Sequence, residues 1–215
     1  MKQTEKLIET YKQYCLAEGN QYIASEYAVL KLQELIKNFE IRSVLEVGLG
    51  IGSISGSLLN INNHIEYSGT ESNDFCLKAL KENLGLDYDR LEVLKSIRFI
   101  PQGKKFDLII IDGKDPNLES IRNFISNRSI IVLEGDRKNQ QNTLKEIFPG
   151  SKQVHSISLS KNKTDSPFGV GEWQGGLKTI FINPNSRQYA WWFKERFLTK
   201  LKYQYPGRFF GNIKI

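Results

Sequence analysis

Residues 44–53 read VLEVGLGIGS and decide the fold expected of this 215-residue chain. A strand-type run at 43–48 leads into glycines at 48, 50 and 52. Such glycines can adopt positive φ and let the backbone approach a ligand closely. An apolar helical segment begins near Ser53, and its N-terminus would offer free N–H groups and a positive dipole end. The stretch therefore predicts a strand–turn–helix unit that holds a ligand at the turn.

Strand-type runs and helical patterns alternate along the rest of the chain. The strand-type runs are 43–48, 65–70, 91–94, 106–111, 129–133, 154–159 and 178–182. Helical patterns fall between most of them, including one opened by Asp115-Pro116 that carries Leu118, Ile121 and Ile125. Such alternation is typical of a mainly parallel sheet covered by helices on both faces. Ligands of such sheets bind at the carboxyl ends of the strands, where the strand order reverses.

A carboxylate at the end of the second strand narrows the choice of ligand. Glu71 can accept hydrogen bonds from both ribose hydroxyls of a nucleoside. The glycines do not fit the G-x-G-x-x-G dinucleotide fingerprint, because neither Gly48 nor Gly50 is followed by glycine at the sixth position. Glu46, beside the turn, would repel a pyrophosphate but suits an ammonium group. These features favour S-adenosylmethionine over NAD, so an NAD-dependent oxidoreductase is the weaker interpretation.

The sequence resembles the class I S-adenosylmethionine-dependent methyltransferases and, within them, the small O-methyltransferase-like group. The segments that carry the resemblance are VLEVGLGIGS (44–53), YSGTES (67–72), FDLIIIDG (106–113) and SIIVLEG (129–135). YIASEYAVLKLQELI (22–36) is similar to the helix that those enzymes place before the first strand, and the likeness covers roughly residues 22 to 183. The predicted fold is α/β: a Rossmann-like, mainly parallel seven-stranded sheet with helices on both faces, an antiparallel last strand and N-terminal helices.

The resemblance implies S-adenosylmethionine as cofactor and assigns its contacts position by position. The implied cofactor residues are Glu46, Gly48, Gly50, Gly52, Glu71, Ser72, Ser96 and Asp112. The first four would surround the methionine part, and Glu71 would hold the ribose. Ser96 would lie near the adenine, where Lys95 replaces the acidic residue that family members often carry. Asp112 would lie near the methionine end or the transferred methyl group.

Three carboxylates follow strands at the expected edge and are candidates for catalysis. Methyl transfer requires alignment and often a base or a metal to deprotonate the acceptor. We predict Asp112 and Asp136 as catalytic residues, although Asp136 also suits a helix N-cap. The resemblance implies a divalent metal at Asp112 and Glu134, since some small O-methyltransferases use acidic residues there. Gly135 stands where an amide ligand usually follows, which counts against that metal.

Composition and the chain ends bear on partners and location. The net charge of +6 favours an anionic cofactor, an acidic substrate or nucleic acid, or reflects a solvated lysine-rich surface. The chain shows no signal-peptide run and no stretch of 18 apolar residues, so we expect no membrane association and a cytoplasmic location. The loop 161–176, with Trp173, is either a lid or a disordered insertion. The aromatic, basic tail helix would pack on the domain, join a homodimer or bind nucleic acid.

The leading hypothesis is a methyltransferase acting on oxygen of a small molecule. The alternatives are an RNA or protein methyltransferase and a non-catalytic cofactor-binding module. Asp112-Gly113 stands where an Asn-Pro-Pro-Tyr type of run would favour methylation of base amino groups. We expect a single domain over 1–215, with N-terminal helices at 1–40, a cofactor-binding core at 41–183 and a C-terminal helix and tail at 184–215.

Overall fold

A computed structural model describes residues 3–135 and 137–204. The helices are α1 (Gln3–Cys15), α2 (Glu26–Phe39), α3 (Ser53–Leu59), α4 (Asp74–Leu84), α5 (Lys138–Ile147) and α6 (Ser186–Gln204). The strands are β1 (Ser43–Val47), β2 (Glu66–Thr70), β3 (Leu91–Leu94), β4 (Phe106–Ile111), β5 (Ile125–Glu134), β6 (Lys152–Ile157) and β7 (Gly176–Phe181). Among these residues no helix is long and apolar enough to cross a membrane.

The described strands form one seven-stranded sheet in the order β3-β2-β1-β4-β5-β7-β6. Strands β1 to β5 pair in parallel, whereas β7 runs antiparallel to both β5 and β6. The predicted Rossmann-like fold, with its antiparallel last strand and N-terminal helices, is confirmed. Because β1 lies between β2 and β4, the strand order reverses at β1, and a crevice is expected at the carboxyl ends of β1 and β4.

The sheet is buried on both faces, as the continuous apolar run of β4 predicts. Leu108 and Ile110 face α1, α2, α3, α4 and α6, while Ile109 and Ile111 face α5 and the short 3₁₀ turns. All four side chains are fully buried. Burying a side chain of this size contributes about 1.5–3 kcal/mol, so β4 anchors both halves of the core.

The predicted helix carrying Leu118, Ile121 and Ile125 is wrong in length and in its last residue. The segment forms only a 3₁₀ helix, Leu118–Asn123, and Ile125 instead begins β5 opposite Phe106. The i, i+3 spacing of Leu118 and Ile121 suits a 3₁₀ turn as well as an α-helix. A hydrogen bond from the Phe106 N–H to the Phe124 carbonyl (2.8 Å) draws the following residues into the sheet.

The aromatic residues of α6 divide between core and surface. Trp191 and Trp192 are buried, and the Trp191 indole N–H donates to Glu34 of α2 at 3.0 Å. Phe193 and Phe197 are more than half exposed. The prediction that this helix packs its aromatics on the domain is therefore confirmed for the two tryptophans, and a homodimer stays a prediction.

Helix α1 crosses α3 at a glycine. All seven residues of α3 are buried, and Gly56 lies directly beneath Tyr14. A Cβ at Gly56 would stand 1.8 Å from the Tyr14 hydroxyl and 2.7 Å from Cζ. This close approach seats the N-terminal helices on the helix that follows the glycine turn.

We expect Gly56→Ala to lower the free energy of unfolding by about 1–3 kcal/mol, because the added methyl overpacks the contact with Tyr14. In a Tyr14→Phe background the loss should be smaller, since the closest atom is gone. Urea denaturation measures both effects. The control is Gly150→Ala, because a Cβ at Gly150 meets nothing within 4 Å. Equal losses at Gly56 and Gly150 would contradict the contact.

Candidate functional site

The three glycines after β1 have different structural roles. Gly48 has φ of 92°, and a Cβ there would stand 2.4 Å from the Gly113 Cα, so it permits contact between the turns that follow β1 and β4. Gly52 has φ of 91°, and its Cβ would collide with Leu84 of α4 at 2.5 Å. At Gly50, with φ of 54°, a Cβ would meet nothing within 4 Å. Of the three, only Gly50 borders open space.

Glu71 lies beside this turn and is hydrogen-bonded to it. Its Oε2 accepts a hydrogen bond from the Gly50 N–H at 2.9 Å. Its Oε1 accepts from the N–H groups of Ser72 (2.8 Å) and Asn73 (2.9 Å). A carboxylate offers about four acceptor sites, so three backbone bonds orient Glu71 and still leave capacity for a ligand hydroxyl.

A cavity of about 250 Å³ lies against Gly50. Its walls come from the turn after β1, the start of α4, the end of β4 and the α1–α2 connection. The lining residues are Gly19, Gln21, Tyr22, Ile23, Leu49, Gly50, Ile51, Ser53, Asn73, Phe75, Cys76 and Asp112. Of the residues predicted from the sequence, Gly50 and Asp112 are among these walls.

Sequence reasoning missed the roof of the cavity, which is the connection between α1 and α2. The Tyr11 hydroxyl donates to the Ala24 carbonyl at 2.8 Å and fixes this connection to α1. A Cβ at Gly19 would stand 2.9 Å from the Phe75 ring, so the roof meets α4 directly. Tyr22 remains 84% exposed at the edge of the cavity. The similarity of 22–36 to a family helix was the only signal for this region.

Beside the cavity, a guanidinium and two carboxyl groups converge. Arg137 Nη2 lies 2.9 Å from Asp112 Oδ1 and also donates to the Asp112 carbonyl. Arg137 Nε donates to the Glu134 carbonyl at 2.6 Å. The carboxyl groups of Asp112 and Glu134 are close enough to interact electrostatically. Burial raises the pKa of both acids, and the neighbouring Glu134 raises that of Asp112 further.

The predicted metal ligands, Asp112 and Glu134, do come together, but their surroundings do not fit a divalent cation. Arg137 forms a salt bridge with Asp112 and supplies the positive charge that a metal would supply. Within 3–135 and 137–204 there is no cluster of three or more His, Cys, Asp or Glu side chains suited to a metal. Asp136, the second predicted catalytic residue, lies outside the described residues.

Two other predicted cofactor residues are engaged with the protein. Glu46 is 1% exposed and accepts a hydrogen bond from the Tyr67 hydroxyl at 2.6 Å. The Ser96 hydroxyl donates to Asp115 at 3.3 Å, and Asp115 also accepts the Ile97 N–H at 2.9 Å. The Glu46 side chain is therefore directed into the protein interior. Ser96 is part of a hydrogen-bonded connection between the segments after β3 and β4. Their cofactor roles stay predictions.

The late loop extends the β6–β7 hairpin. Lys161 pairs with Trp173 in an isolated bridge, and the Asn162 N–H donates to the Glu172 carbonyl at 2.8 Å. A salt bridge of 2.6 Å joins Lys12 of α1 to Asp165. The loop is thus folded onto α1, and Trp173 is not among the described residues that line the cavity.

Comparisons with known proteins return structural similarity alone. No protein-family model and no curated protein matches the chain. An O-methyltransferase from Bacillus cereus in complex with SAH aligns at a TM-score of 0.56 and 14% identity, over 84% of this chain and 90% of that one. The precorrin-6y C5,15-methyltransferase from Geobacter metallireducens aligns at 0.57 and 18% identity, over 77% and 91%.

A third structure, the O-methyltransferase TomG from Streptomyces achromogenes in complex with SAM, aligns at a TM-score of 0.53 and 12% identity, over 86% of this chain and 91% of that one. At such identities the likeness shows the fold. The chain therefore shares the fold of these methyltransferase structures.

The buried Glu46 makes stability depend on pH. Burial raises its pKa well above the ordinary 4.5; the hydrogen bond from Tyr67 opposes this shift, and Asp112 and Glu71 add to it. A raised folded-state pKa means that the stabilising contribution is complete below about 4.5 and is lost as pH rises towards the folded-state value.

We expect Glu46→Gln, which keeps the acceptor for Tyr67, to remove this loss. Between pH 5 and pH 8 the wild type should lose stability relative to the variant by up to about 1.4 kcal/mol per pH unit. Urea unfolding across that range measures the difference. The control is Glu66→Gln, because Glu66 is exposed and begins β2, whereas the site lies at the carboxyl end of that strand. Parallel profiles for the wild type and Glu46→Gln would refute a buried, proton-linked Glu46.

Proposed function

We propose that the chain is an S-adenosylmethionine-dependent methyltransferase that transfers a methyl group to an oxygen of a small molecule. The observation that carries the proposal is the meeting of the glycine turn with Glu71 beside a cavity whose opposite wall bears Asp112. The fold supports it, because solved structures of the same fold are described as complexes with SAM or SAH.

The residues around the cavity fit this cofactor. Gly50 leaves the turn open, so a ligand can approach the backbone where any side chain would project. Glu71 is held in place by backbone donors and retains acceptor capacity for ribose hydroxyls. Gly48, Gly52 and the buried Glu46 shape and support the turn, and cofactor contacts from Ser72 and Ser96 are a further part of the proposal. When bound, the cofactor supplies a methyl group activated on a sulfonium.

The chain's own contribution to the reaction is orientation and proton handling. Asp112 lines the cavity and would take up the proton that an acceptor hydroxyl releases, with the Glu134 carboxyl group as its neighbour. Arg137 fixes the Asp112 carboxyl group and balances its charge. The roof at residues 19–23 covers one side of the cavity. A catalytic role for Asp136 is a further part of the proposal.

The cofactor is tested by a pair of glycine variants. We expect the wild type to bind S-adenosylhomocysteine and not NAD in isothermal titration. Gly50→Ala should weaken that binding by roughly tenfold or more, because its Cβ enters the space that the ligand needs. Gly85→Ala is the matched control, since Gly85 has φ of 55° and equally open surroundings but ends α4. Binding of NAD instead, or equal losses in the two variants, would refute the cofactor assignment.

The chemical role of Asp112 is tested by Asp112→Asn, which keeps an oxygen acceptor for Arg137. We expect methyl transfer from labelled S-adenosylmethionine to a panel of small hydroxyl compounds to fall by about 10²–10⁴-fold, the range for loss of a general base. Affinity for S-adenosylhomocysteine should fall much less than the rate of transfer, which separates a role in the chemistry from a contact with the cofactor. Transfer at the wild-type rate would remove Asp112 from the chemistry, and a wild type inactive on every compound would favour a non-catalytic module.

A further inference from the structure

A second opening lies beyond Asp112 at the same edge of the sheet. Residues 114–116 after β4 form one wall, and residues 137–140 at the start of α5 form the other. We call this opening the basic groove. Its volume of about 680 Å³ is in the range of small-molecule sites. The Gln140 side chain donates to the Gly113 carbonyl at 2.7 Å and holds the two walls together.

The charged groups of the basic groove are mostly positive. Lys114 and Lys138 are exposed, and neither forms a salt bridge with another described residue. The one acid of the described walls is Asp115, whose carboxylate is hydrogen-bonded to the N–H groups of Ile97 (2.9 Å) and Asn117 (2.8 Å). The groove is therefore lined by two lysines that form no salt bridge with a described residue, and by Arg137, which is paired with Asp112.

Arg137 connects the groove to the acid pair. Its Nε and Nη2 are fixed by Glu134 and Asp112, so the guanidinium is held before any ligand arrives. Its Nη1 donates to none of the described residues. A guanidinium fixed in this way loses little entropy on binding an anion, and its planar donors match carboxylate and phosphate oxygens.

We propose that the basic groove binds an anionic group, carboxylate or phosphate, of the methyl acceptor. The acceptor would thus be a small hydroxylated acid or phosphate ester whose hydroxyl reaches Asp112 while its anion lies between Lys114 and Lys138. This inference rests on the proposed function for the identity of the bound molecule as an acceptor. The anion site itself depends only on the groove.

The test uses the full chain and three probes of similar size: benzoate, phenyl phosphate and the neutral benzamide. Titrations are followed by amide chemical shifts in NMR spectra. We expect saturable shifts at Gly113, Lys114 and Lys138–Gln140 with the two anions and none with benzamide. The stronger of the two anions identifies the source as carboxylate or phosphate. The double variant Lys114→Gln/Lys138→Gln should raise the Kd roughly fivefold or more.

The matched control is Lys145→Gln/Lys194→Gln, which removes two exposed charges elsewhere, one of them on α5 itself. We expect it to change the Kd by less than about twofold. Equal binding of benzamide, or equal losses in the two double variants, would overturn the proposal. So would a short single-stranded RNA that displaces the anions and binds far more tightly, because the groove would then serve a polymer.

These experiments distinguish a failure of the proposed anion site from a failure of the proposed methyltransferase function. Loss of anion binding with intact S-adenosylhomocysteine binding would overturn the groove and leave the methyltransferase. Anion binding at the groove without any S-adenosylhomocysteine binding would overturn the methyltransferase and leave the groove as an anion site.

Discussion

The structure depends on the contact between Gly48 and Gly113, where the turns after β1 and β4 meet without side chains. A Cβ on either residue would lie 2.4–2.6 Å from the other backbone. Because the turns are this close, the Val47 carbonyl accepts the N–H groups of both Asp112 (3.0 Å) and Gly113 (2.6 Å). Those bonds place Asp112 beside the glycine turn. The contact between Gly48 and Gly113 therefore joins the ends of β1 and β4 and also brings the residues of the site together.

The site brings several acidic side chains together in the protein. The surrounding residues offset the unfavourable free energy of burying their carboxyl groups. Burying a carboxyl group is unfavourable unless it is neutralised, paired or hydrogen-bonded. The Tyr67 hydroxyl donates a hydrogen bond to Glu46, and backbone N–H groups donate to Glu71. Arg137 forms a salt bridge with Asp112. The acids are thus held in different environments at one edge of the sheet, which is how a fold separates the roles of chemically similar groups.

The N-terminal helices contribute to the site through their connection. The short segment between α1 and α2 lies over Ile51 and Phe75. The roof therefore packs on the glycine turn and on α4. The packing of α1 on Gly56 fixes its position, so the core that stabilises the helices also encloses the cavity.

The sequence by itself determined the features that local chemistry encodes. Glycines at 48, 50 and 52 predict a positive-φ turn, and the uninterrupted apolar run of β4 predicts a central strand buried on both faces. The position of Glu71 at a strand end predicted its meeting with the turn, because carboxyl ends of parallel strands share an edge.

Only the tertiary structure decided which side chains meet. Arg137 pairs with Asp112 across 25 residues, and Ile125 joins β5 although its spacing also suits a helix. Glu46 points behind the turn towards Tyr67, a direction set by the pleat of β1 and by the helices on that face. Periodicity and glycine content act within a few residues, whereas these pairings follow from strand register and from the packing of segments distant in sequence.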